Sequence, residues 1–60
     1  MDYKEKLKEN LDIIHDPDTS IGDTFDSMML LRLILCAMDA ECNGTTDESI
    51  KLAEKITEYK

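Results

Sequence analysis

Tyr3, Leu7, Leu11 and Ile14 recur at spacings of four, four and three through an otherwise charged opening segment. At about 100° per residue that spacing gathers them on one stripe and predicts an amphipathic helix over residues 3–14. Asp2 supplies an N-cap, with Glu5 three residues later in capping-box order. Lys4, Lys6, Lys8, Glu9 and Asp12 fill the remaining surface, and Pro17 ends the element because the residue before a proline leaves the helical region. A second helix is predicted over residues 24–42, opening at Asp23 or Thr24 and stopped by Asn43-Gly44. Its run is too long for one strand and is rich in Met, Leu and Ala, which favour helix. The third spans 46–59, with Thr45 and Glu48 forming a second capping box. Ile50, Ala53, Ile56 and Tyr59 make its stripe, with Leu52 beside it. The expected fold is all-α, a small three-helix bundle forming one domain over residues 1–60.

The middle helix breaks the amphipathic pattern. From Met28 to Met38 apolar residues point in every direction, interrupted only by Arg32. Two short neighbours cover about half of that circumference, and a helix apolar all round needs burial all round. A homodimer packed through this helix is therefore expected, two-fold pairs being the commonest oligomers. Met28, Arg32, Leu35 and Asp39 share one stripe, with Cys36 beside it. An antiparallel crossing centred between Leu35 and Cys36 sets Arg32 against Asp39 of a second copy. Chain length points the same way, since 60 residues bury only ~60 % of the unfolded surface and small domains recruit a staple or a second copy. Cys36 and Cys42 do not supply that staple. On one helix they project roughly 120° apart, so they read as reduced, apolar positions.

Charge narrows the partners. Fourteen acidic side chains stand against seven basic ones, a net of −7. Direct nucleic-acid binding and anionic membranes are disfavoured, because phosphate repulsion replaces counterion release. The run "MMLLRLILCAM" is too short to span a bilayer. The charged opening "MDYKEKLKEN" carries no apolar leader core, so the expected location is cytoplasmic.

Candidate chemistry is sparse. "HDPDTSIGD" places Asp16, Asp18 and Ser20 at alternate positions, as a calcium loop does. Counted from Asp16, however, position 6 is Ile21 and position 12 is Ser27, so the sharp-turn glycine and the bidentate glutamate are missing. The stretch is expected to be a linker held by side-chain-to-backbone bonds. His15 is the lone histidine, expected exposed at a helix end. No metal, cofactor or catalytic set is expected, and the chain is not expected to be an enzyme.

"FDSMMLL" resembles the Asp-Ser-Leu attachment site of acyl and peptidyl carrier proteins. That resemblance implies a phosphopantetheine arm on Ser27 and is the alternative function, alongside a structural or regulatory helical dimer. The leading expectation rests on where negative charge gathers. Asp12, Asp16, Asp18, Asp23 and Asp26 lie in a stretch without lysine or arginine. They suit docking against a basic protein, steering its approach and fixing its orientation. A nucleic-acid-handling enzyme, inhibited because acid fills its phosphate groove, is the expected target. In general character, short, acidic and helical, the chain is similar to small phage inhibitors of host nucleases and of RNA-guided (CRISPR) defence enzymes.

Overall fold

A computed structural model describes residues 2–39 and 45–59. It contains three helices in mutual contact: α1 over Tyr3–His15, α2 over Ile21–Ala37 and α3 over Thr46–Thr57. The architecture is the expected all-α three-helix bundle, about 30 × 20 × 20 Å.

Each helix start has a local cause. Asp2 accepts from the Glu5 amide at 3.3 Å, opening α1. The Ser20 hydroxyl accepts from the Asp23 amide at 3.2 Å, opening α2. At α3 the reciprocal box closes, with Thr45 Oγ1 accepting from the Glu48 amide at 3.2 Å. Glu48 Oε2 accepts in return from the Thr45 amide at 3.1 Å. Each bond satisfies one of the amides that a helix start leaves without an intrahelical partner.

The ends of α2 differ from expectation. It begins at Ile21 rather than at residue 24, because Ser20 and not Asp23 or Thr24 is the cap. It ends at Ala37 rather than at 42, and Asp39 adopts a left-handed φ of 59°. The predicted stop at Asn43-Gly44, and Cys42, lie outside the described residues. Helix α1 runs one residue past its expected end, to His15. Helix α3 stops at Thr57, where Glu58 turns left-handed with φ 53° and leaves Tyr59 beyond the helix.

Four leucines fill the centre: Leu7 and Leu11 from α1, Leu31 and Leu35 from α2, all fully buried. Helix α3 adds Ala53, also fully buried, between Ser49 and Thr57. Spaced four apart, these three put small side chains on the inward line of α3. Ile50, Leu52 and Ile56 pack at the margins, half-buried. Two of the buried polar side chains bond to their own helix's backbone. Asn10 Nδ2 donates to the Lys6 carbonyl at 2.8 Å, and Thr57 Oγ1 to the Ala53 carbonyl at 2.8 Å.

Candidate functional site: an acidic pole and an apolar face

The end of α1, the start of α2 and the end of α3 meet at one pole of the bundle. Two contacts join α1 to α3 there. Tyr59 Oη donates to Asp12 Oδ1 at 2.7 Å, and His15 Nε2 lies 3.1 Å from Glu54 Oε2. The imidazole and the phenol also stack, 5.5 Å between centroids and 17° from parallel. The hydrogen bond that Tyr59 donates to the Asp12 carboxylate raises the phenol pKa from its ordinary value of 10.0, with desolvation and the charges of Asp12 and Glu54 adding in the same direction. The linker between α1 and α2 is held locally, as its composition suggested. The Asp18 amide donates to Asp16 Oδ1 at 2.9 Å and the Thr19 amide to the Asp16 carbonyl at 3.2 Å.

All five aspartates singled out in the sequence are exposed. The fold brings Asp12, Asp16, Asp18 and Asp23 to the pole, and Asp26 follows one turn along α2. Two of them already have internal duties, Asp12 with Tyr59 and Asp16 in the turn. Glu54 and Glu58 join the same end from α3. Glu54 lies 39 positions from His15, its contact on α1, so no local pattern could have assigned the α3 acids to the cluster. The C-terminal ends of α1 and α3 also point their negative dipole ends here.

The stripe expected for self-association does not survive as one surface. Leu35 is fully buried in the monomer's own core, Met28 and Arg32 are half-buried, and only Cys36 and Asp39 are exposed. Asp39 lies past the end of α2 in left-handed backbone, so it is out of helical phase with Arg32. What α2 presents outward instead is Ile21 at 76 %, Phe25 at 60 %, Met29 at 65 %, Leu30 at 51 % and Leu33 at 63 % exposure. A shallow depression of about 270 Å³ lies among Met29, Arg32, Leu33 and Cys36. Between α1 and α2 runs a groove of about 390 Å³, lined by Lys6, Glu9, Asn10, Ile13, Leu30 and Ile34.

Ser27 sits in the second turn of α2 at 4 % exposure, facing inward. A modifying enzyme would have to reach a hydroxyl that the bundle covers. Among the described residues no helix is long and apolar enough to cross a membrane, and no cluster of His, Cys, Asp and Glu could hold a metal ion. No protein-family model matches the chain, nor does any curated protein or solved structure.

Proposed function

We propose that this chain is a non-enzymatic binding protein whose acidic pole engages a basic protein partner. The observation that carries the reading is the convergence of three helix ends on exposed Asp12, Asp16, Asp18 and Asp23, with Asp26 one turn away. Aspartates spread over a rigid helical scaffold repel phosphate and attract arginine and lysine. A partner that handles nucleic acid, carrying a basic groove shaped for phosphates, has the complementary charge. Occupying that groove would inhibit it, in the manner of phage anti-defence proteins. Self-association through α2 is a second reading, supported by the apolar face this helix leaves open.

The test uses the immobilised chain against a nuclease-treated cell lysate, eluted with rising salt. Expected is release at moderate salt of proteins that bind nucleic acid, and loss of that binding when the free chain is added. The double variant Asp23→Lys, Asp26→Lys should capture far less and show a flatter salt dependence, since exposed pairs are screened within about 8–10 Å. Capture that ignores salt and survives the charge reversal would refute the acidic-pole reading.

A further inference from the structure

We propose that the outward face of α2 is covered by α2 of a second copy, antiparallel, about a two-fold axis at Met29. This pairing rests on the self-association reading and not on the acidic pole.

Area supports a second copy. Taking roughly 200 Å² for a fully open side chain of this size, Ile21, Phe25, Met29, Leu30 and Leu33 together present about 600 Å². That is as large as the biggest apolar patch a monomer normally shows, about 300–600 Å². Two such faces could bury at most about 1,200 Å², which reaches the lower bound for a specific, stable interface. The four fully buried leucines and one alanine of the core give a 60-residue chain little else to stand on.

Register follows from the helix itself. Helix α2 runs from Ile21 to Ala37, so Met29 is its midpoint. At 3.6 residues per turn Met29 also lies near the middle of the exposed arc, between Phe25 and Leu33. An antiparallel pair centred there overlaps along the full helix, about 25 Å. Each residue then comes level with the one equally far beyond Met29 in the second copy. Phe25 comes level with Leu33, Gly22 with Cys36, and Ile21 with Ala37. Phe25 and Ile21 thus lie level with smaller side chains, and Met29 meets its own copy at the axis. Gly22 faces open space, with no atom within 4 Å of where a Cβ would stand. Asp26 of both copies falls between Leu33 and Leu30 on one edge of this seam, with Asp23 just beyond it. With a net charge of −7 per copy, the pair should tighten as salt rises, opposite to a partner held by the acidic pole.

The deciding experiment is sedimentation equilibrium of the full chain over a wide concentration range at low and high salt. Expected is a mass about twice the 6.9 kDa of one chain, with association stronger at high salt. Met29→Lys places two ammonium groups at the axis and should weaken association by at least about tenfold. Glu5→Gln, which changes net charge equally at the start of α1, should leave the mass unchanged. Circular dichroism of both variants confirms that the helices persist. A single-chain mass under all conditions overturns both the pairing and self-association, and leaves the face to another occupant such as a basic amphipathic helix. The register has its own readout in a Cys36→Ser, Cys42→Ser background shown to keep the dimeric mass. Met29→Cys should oxidise to a covalent dimer, whereas Phe25→Cys, level with Leu33 of the second copy, should not. A dimer in which Phe25→Cys crosslinks as readily overturns this register while self-association stands.

Discussion

Ser49 sits at 2 % exposure with its hydroxyl oxygen lacking a hydrogen-bond partner. A buried, unsatisfied hydroxyl costs about 1–3 kcal/mol in desolvation, and alanine also favours helix more than serine does. Ser49→Ala should therefore raise stability, by about 1 kcal/mol in urea unfolding; a loss would mean that the hydroxyl is satisfied. The leucines give the opposite contrast. Leu35→Ala should cost about 2–5 kcal/mol, most of the roughly 3–9 kcal/mol typical of a chain this long. Leu33→Ala, at 63 % exposure, should stay within about 0.5 kcal/mol in dilute protein. Tyr59 makes a pH prediction. Its raised pKa means that the folded chain holds the phenol proton more tightly than the unfolded chain does. The contact's stability is thus present below pH 10 and is lost as pH rises through the raised folded value. Wild type should exceed Tyr59→Phe in stability near neutrality, and the gap should close in strong alkali. At this scale the sequence revealed Leu7, Leu11 and Ala53, which sit on clean stripes. It did not reveal Asn10, Ser27, Ser49 and Thr57 as buried. Polarity marks a position as outward unless a backbone carbonyl is in reach, and that depends on the folded helix.

Among the elements, the caps were legible where their chemistry was complete. Thr45 and Glu48 form the expected reciprocal pair, and Thr45→Ala should cost about 1 kcal/mol. Loss of helicity should concentrate in α3, read by amide chemical shifts. Ser20 is the informative miss. Ser20 and Asp23 have capping spacing, but Gly22 between them and the aspartates before them read as loop, which places the expected start three residues late. Glycine costs helix about 1 kcal/mol against alanine. Here the Ser20 cap and the burial of Leu31 and Leu35 further along outweigh it. The expected end of α2 falls late because its apolar run continues past Ala37, and no sequence signal marks the left-handed turn at Asp39.

The whole molecule shows why the orientation of α2 resisted the sequence. A helix with apolar residues on every side carries no polar face to mark solvent, so only packing against α1 and α3 selects Leu31 and Leu35 as inward. Arg32 is the one polar mark on this run, and it is a poor guide to the outward side because its aliphatic stem can lie on apolar surface while its head reaches water. The bundle's spacing as three helices was legible; its rotation was not. The small inward residues of α3 have a further consequence, for motion. Helices α1 and α2 share the four leucines and pack more extensively with each other than either does with α3. From α3 only Ala53 joins them as a fully buried apolar side chain, with Ile50, Leu52 and Ile56 half-buried at the margins. The third helix should therefore lift away as a unit at lower free energy than global unfolding. Hydrogen exchange would then show two tiers, with α3 amides opening early and the amides around Leu11 and Leu31 exchanging only when the whole chain unfolds.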